Sequence, residues 1–318
     1  MPSALPMPSA FLLKGAASAS KPKPAAAAPP PQQQVDGAAN SSNSTSSGPG
    51  NAQPVDLSDA LAQLTLMLHE RSAAPEKPPA SLASPRKLLV LDCNGFLCWR
   101  ARRGSDTTLP ARPPDASHGE FKIYLRPHAR DFLKWCAARF HIVVWSTAMR
   151  RNLEPIVAAA FGTDVTPAAI FDQSACTDTG LTHPDNPQKR LLLKRLSCVW
   201  GAQSVSAFGT FGAGDTLLID DSPYKAIDNP EHTAIHPIEW SALDADEAPI
   251  STALAPGGEV RRLLALVAEA ADARSVVRGL SAELAGRGAP SATFWQSPEG
   301  DPVLEQVRRA RARAVPVA

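Results

Sequence analysis

The chain has 318 residues and a formal net charge of +1, enough length for one or two domains and no basic excess of the kind a nucleic-acid binder carries. No run approaches the roughly eighteen consecutive apolar residues that mark a membrane-spanning helix. The five cysteines, at 93, 98, 136, 176 and 198, form no C-x-x-C pair, which argues for reduced thiols in an intracellular protein over a disulfide framework or a zinc site.

Residues 1–54 are dominated by Ala, Pro, Ser, Gln and Gly and cannot bury enough apolar area to offset their ordering entropy, so they read as a disordered arm. Lysines without acids near the start resemble a transit peptide, but arginine is absent there, and a low-complexity tail is the simpler reading. Residues 55–84 read as a short amphipathic helix, from Leu57, Leu61, Leu64 and Leu68 at helical spacing, followed by a Pro- and Ala-rich linker.

From about residue 85 to 280 strand and helix patterns alternate, which predicts an α/β domain with a parallel sheet covered by helices on both faces. Lys87 to Leu91 is an apolar run closed by turn residues, the pattern of a buried parallel strand, and Asp92 stands at its carboxyl end. Phe121 to Leu125 reads as a strand or hairpin arm, and Arg126-Pro127 as a helix start carrying Phe132, Leu133, Trp135 and Cys136 inward. His141 to Trp145 is a further buried strand, closed by Ser146-Thr147, and Arg150 to Phe161 is helical. Asp172 to Lys189 is polar and turn-rich and reads as a solvated loop. Thr216 to Ile219 is a second strand of the first kind, ending in Asp220-Asp221, and Thr233 to Ile235 is another. Val260 to Arg278 reads as one amphipathic helix, and residues 281–318 as a basic tail ending in Arg308, Arg309, Arg311 and Arg313, a candidate nuclear signal or a solvated terminus. Trp135, Trp145 and Trp200 read as core, whereas Phe96 and Trp99 are placed near the entrance of a site.

The strand ends hold the chemistry. In open α/β sheets ligands bind beyond the carboxyl ends of the strands, and there stand Asp92, Ser146 and the pair Asp220-Asp221, with Lys194 on the connection before the last acidic strand. An aspartate, a hydroxyl, a lysine and an acidic pair make a coherent phosphate site. Asp92 is the candidate nucleophile, forming an aspartyl-phosphate. Mg2+ on Asp92 and Asp220 would neutralise phosphoryl oxygens, Ser146 would donate to one of them, and Lys194 would set a positive charge against the transferring group. Asp221 ligates through water or orients Asp220. Thr147 is the rival hydroxyl and Lys189 the rival lysine, and Asn229 reads as a turn residue.

The ordered set Leu91-Asp92-Cys93-Asn94-Gly95, Tyr124-Leu125-Arg126-Pro127, Val143-Val144-Trp145-Ser146, Leu193-Lys194-Arg195-Leu196 and Leu218-Ile219-Asp220-Asp221-Ser222-Pro223 resembles the haloacid-dehalogenase-like superfamily. More narrowly, it resembles the phosphatase domain that dephosphorylates the C-terminal repeat tail of RNA polymerase II. The resemblance spans residues 86 to about 240. It implies a three-layer α/β/α sandwich around a Rossmann-like sheet, magnesium, and a phosphoserine or phosphothreonine protein substrate such as that tail. The further expectations are no direct nucleic-acid contact, a monomer, and a nuclear location, with mitochondria or another organelle as the alternative. It prefers Lys194 to Lys189, because the following Leu196-Ser197-Cys198-Val199-Trp200 keeps the family spacing.

The first motif departs from the family. The resemblance implies Asp-x-Asp-x-Thr, and here the positions read Asp92, Asn94 and Phe96. The nucleophile is kept. The residue the family uses as general acid and base is Asn94, whose backbone carbonyl would still ligand magnesium but whose amide exchanges no proton in that role. Two readings follow: a slow or altered protein phosphatase, and a phosphatase-fold binding module without turnover, like the receptor subunit of this domain family in the mitochondrial import translocase.

Overall fold

The computed structural model describes residues 85–102, 104, 108–243, 251–286, 295–296, 298 and 301–314. The arm expected at 1–54 and the helix and linker expected at 55–84 lie outside the described residues. The sheet follows from the strand sequences. Strand β1 (Lys87–Leu91) is buried along its whole length, as a strand covered on both faces must be. Its alternate residues serve two cores: Leu89 and Leu91 join one hydrophobic cluster, Leu88 and Val90 another. It is followed by β2 (Cys98–Arg102), β3 (Ala116–His118), β4 (Phe121–Leu125), α1 (Ala129–Ala137), β5 (Phe140–Trp145), α2 (Arg150–Phe161) and β6 (Ala169–Phe171). Next come β7 (Thr177–His183), β8 (Asn186–Leu193), α3 (Leu196–Trp200), α4 (Gln203–Ser206), β9 (Thr216–Ile219) and β10 (Ala234–Ile235), and then α5 (Glu259–Glu269), α6 (Ala273–Gly286) and α7 (Pro302–Ala314).

The main sheet has the order β10-β9-β1-β5-β6, with every pairing parallel. The chain passes from β1 to β5 on one side and returns to β9 on the other, so β1 lies at the switch point where such sheets open a crevice. One face is covered by α1, α2, α5 and α6 through Phe132, Leu153, Leu264 and Val277. The other is covered by α3 and α4 through Leu196, Val199 and Val205. This is the expected three-layer α/β/α sandwich. Two antiparallel additions decorate it, β2-β4-β3 and the hairpin β7-β8.

Four sequence expectations change. The helix after Arg126-Pro127 begins at Ala129, because His128 takes a left-handed conformation, φ 65°. The polar segment before Lys194 is the hairpin β7-β8, paired from Thr177↔Leu193 to His183↔Asn186. The stretch 260–278 is two helices: Asp272 accepts from Arg274 N at 2.9 Å and starts α6 afresh, as an Asx side chain does when it competes for backbone donors. Within the basic C-terminal stretch, α7 is docked on the hairpin, burying Val303, Leu304 and Val307 against Leu191, Leu193 and Tyr224, and Arg311 pairs with Asp228. Trp145 is fully buried, while Trp135 and Trp200 are half-buried against the two cores. Among the described residues no helix is long and apolar enough to cross a membrane.

Candidate active site

The parallel register places Asp92 and Asp220 side by side. Leu91 pairs with Ile219 across β1 and β9, and each aspartate continues its strand by one residue. Asp92 N donates to Ile219 O at 2.9 Å, and Asp220 N to Ile235 O at 3.2 Å. On the other side of β1, Leu91 pairs with Val144, which puts Trp145 and Ser146 at the same rim. Lys194 comes in from the end of β8. Its Nζ lies 2.8 Å from Asp92 Oδ1, 2.5 Å from Asp220 Oδ2 and 2.6 Å from Trp145 O. Of the two candidate lysines it is the one in the crevice, with no solvent exposure, while Lys189 is exposed on β8. The three strand tips of β1, β5 and β9 are therefore tied through one ammonium.

Asp92, Asp220 and Asp221 offer carboxylate oxygens that all lie within 4.8 Å of one another. A hard divalent cation takes oxygen ligands of this kind. Asp221 Oδ1 is buried and has no hydrogen-bond partner, so this donor set fits such a cation. Burial lifts the Asp221 carboxyl well above the ordinary carboxylate range, with Asp220, Asp92 and Glu239 adding to the rise against the pull of Lys225. Asp220 goes the other way: the Lys194 and Lys225 ammoniums overcome its burial and hold it below the ordinary range. Two adjacent carboxylates are thus set apart by where the cations stand.

Ser146 is buried, and its Oγ accepts from Ala148 N at 3.2 Å. Thr147 is half-buried. Asn94 lies at the turn after Asp92, partly exposed, and its Oδ1 accepts from Arg100 N at 3.1 Å, holding the start of β2. Phe96 is not at an entrance. It has no solvent exposure and packs edge-on against Phe132 of α1, with ring centroids 6.0 Å apart. Trp99 is half-buried against Tyr124 at 5.7 Å.

Two residues here escape a reading of the sequence by motif. Lys225, on the short turn Pro223–Ala226, puts its Nζ 2.8 Å from Asp220 Oδ1, 3.5 Å from Asp92 Oδ2 and 3.6 Å from Asp221 Oδ1. The signal was present in Asp220-Asp221-Ser222-Pro223-Tyr224-Lys225, where proline turns a lysine back toward the acidic pair. Asn229 does more than turn the chain: Oδ1 accepts from Leu196 N at 2.8 Å and Nδ2 donates to Lys194 O at 2.9 Å. It brackets Lys194 from behind, a task that Asp-Asn-Pro does not announce.

With this geometry in view, a model of the NLI interacting factor-like phosphatase family matches residues 87–269. An uncharacterised FCP1 homology domain-containing protein of Schizosaccharomyces pombe is 28% identical over 158 residues, which cover 47% of this chain and 60% of that protein. Among solved structures, Fcp1, an essential RNA polymerase II CTD phosphatase, is similar at TM-score 0.34 and 11% identity, over 79% of this chain and 66% of that one. A fission yeast RNA polymerase II CTD phosphatase Fcp1 variant bound to beryllium fluoride is similar at TM-score 0.31 and 11% identity, over the same shares. The chain therefore spans less than two thirds of the length of these relatives.

Proposed function

Because the chain belongs to the NLI interacting factor-like phosphatase family, we propose that its crevice is a protein serine/threonine phosphatase site that works through an aspartyl-phosphate and is slowed at the proton-transfer step. The observation that supports this most is the cluster itself: Asp92 at the switch point, with Lys194 2.8 Å from one of its oxygens and Asp220 and Asp221 beside it. Asp92 attacks phosphorus, the bond from phosphorus to the serine oxygen breaks, the serine oxygen takes its proton from solvent water, and a second water hydrolyses the acyl phosphate to release inorganic phosphate and restore Asp92. Lys194 holds Asp92 in place and offsets charge on the transferring group. Ser146 donates its hydroxyl proton to a phosphoryl oxygen. Asp92, Asp220, Asp221 and the backbone carbonyl of Asn94 would hold magnesium, which would supply neutralisation of phosphoryl charge.

Asn94 cannot deliver the proton that the leaving serine oxygen needs. A general acid is worth about 10² to 10⁴ in rate, so a phosphoserine ester suffers most and an aryl ester, which leaves as a stabilised anion, suffers least. The substrate class is a phosphorylated protein segment. The RNA polymerase II tail and a nuclear location belong to the proposal, and a tail-derived phosphopeptide is the first peptide to assay.

The test is Asn94→Asp, which restores a titratable group and keeps an acceptor for Arg100 N. Turnover of a phosphoserine peptide should rise about 10²-fold, with a smaller gain on an aryl phosphate. Phe96 is left alone, because cutting a fully buried aromatic to threonine opens a cavity that costs about 3–5 kcal/mol in comparable truncations. A folded Asn94→Asp protein inert on both substrates would refute the slowed-phosphatase reading in favour of the binding module.

A further inference from the structure

Lys225 has no work in the phosphatase reading. The lysine that faces the nucleophile is Lys194, yet Lys225 brings a second ammonium into contact with the same three acids: Asp220 at 2.8 Å, Asp92 at 3.5 Å and Asp221 at 3.6 Å. This is not a long exposed side chain that falls onto the site. Lys225 is 6% exposed, and its backbone is pinned at both ends. Its N–H donates to Ser222 O at 3.1 Å, and its carbonyl accepts from Lys194 N at 2.8 Å. Ser222 N in turn donates to Asp220 Oδ1 at 2.9 Å, the same oxygen that Lys225 Nζ holds. The turn is built to deliver this ammonium among the carboxylates.

We propose that Lys225 is a built-in cation of the carboxylate cluster, and that a divalent metal binds there only by displacing it. With Asp221 ionised, as a metal ligand must be, the three carboxylates carry −3 and the two ammoniums +2, which leaves −1. A dication added beside both lysines would turn a buried cluster to +1 and set like charges a few ångströms apart, where repulsion in a protein interior is strong. The metal-competent form is then the fraction of molecules in which Lys225 has swung out, and apparent metal affinity falls by that fraction. The same arrangement lets the cluster hold its form without metal. This inference deepens the phosphatase reading, since it takes the carboxylate cluster as the metal site.

The experiment is metal titration of the full chain in the absence of any phosphate substrate. Magnesium binding is followed by calorimetry for wild type and Lys225→Met, which keeps the apolar stem and removes the charge. The variant should bind magnesium about tenfold tighter or more, a difference of roughly 1.4 kcal/mol. Its melting temperature should drop in EDTA and recover at lower magnesium concentrations than wild type needs for the same rise. Equal magnesium affinity in the two folded proteins would overturn the proposal. Should Lys225→Met fail to fold, manganese titration of wild type by electron paramagnetic resonance decides: a dissociation constant weaker than about 10 μM supports displacement, and a tighter one contradicts it. Neither titration needs turnover. An inactive protein whose metal affinity responds to Lys225 upholds this inference and fails the phosphatase reading, and an active protein whose affinity does not respond does the reverse.

Discussion

Two turns face each other across the crevice, one after β1 and one after β9. The first, Asp92 to Phe96, presents one carboxylate and then leaves acid chemistry: Asn94 ties down Arg100 N and Phe96 enters the core against Phe132. The second, Asp220 to Lys225, keeps both carboxylates and adds an ammonium. In the proposed phosphatase reading, an amide at Asn94 on one side and a buried, displaceable ammonium on the other both weigh against proton transfer and toward charge balance.

The largest stability effect should come from Lys194, where that balance is anchored. Lys194 and Asp220 have no solvent exposure, and removing one partner of a buried pair leaves the other charge uncompensated, at about 3–5 kcal/mol. Lys194→Met should lower the unfolding free energy from urea titration by that amount, and Lys225→Met without metal by less, since two of its three acid contacts are at 3.5 Å or beyond. An equal loss in both variants would erase the distinction between the anchoring and the displaceable lysine.

The first turn can be broken at Gly95. Its φ is +83°, and a Cβ there would stand 2.7 Å from Asp221 Oδ2 and 3.0 Å from Glu239 Cγ. Gly95→Ala should cost about 1–3 kcal/mol for the left-handed backbone and should push Asp221 out of the cluster, weakening magnesium binding in a calorimetric titration. Undiminished binding would show that Asp221 is not a ligand.

How much of this was legible depends on distance along the chain. The crevice positions of Asp92, Ser146 and Asp220 are legible because each ends or follows an apolar strand whose burial pattern is local, while that of Lys194 rests on the resemblance and its spacing. The doubly covered sheet is legible from the same local strand pattern. Lys225 and Asn229 act through a turn that folds back, and their partners Asp92 and Lys194 are far away in sequence, so local pattern gave them no weight. Phe96 was misplaced because position beside the nucleophile says nothing about which way a side chain points, and α1 supplies the aromatic partner that draws it inward. The break at Asp272 was missed because apolar periodicity continues across it.

A smaller effect sharpens the account of the second turn. His236 is buried, with Nδ1 2.8 Å from Asp220 O, and burial lowers its pKa below the ordinary 6.5. The folded protein favours the neutral ring, so the stability owed to His236 is fully present above pH 6.5 and is lost as pH falls through that value toward the lower folded one. Asp221, raised by burial, has the opposite sign: its contribution is present below 3.8 and lost as pH rises through its folded value. Comparing His236→Gln with wild type isolates the imidazole. Urea midpoints from pH 7.5 to 5 should fall more steeply for wild type, and parallel profiles would remove His236 from the account.

Whether Asp92 is a working nucleophile limited by the missing acid is decided by phosphate release from an aryl phosphate, with magnesium, by wild type and Asp92→Asn. Wild type should release phosphate slowly but measurably, and Asp92→Asn none above buffer. Equal release by the two folded proteins would contradict a nucleophilic Asp92.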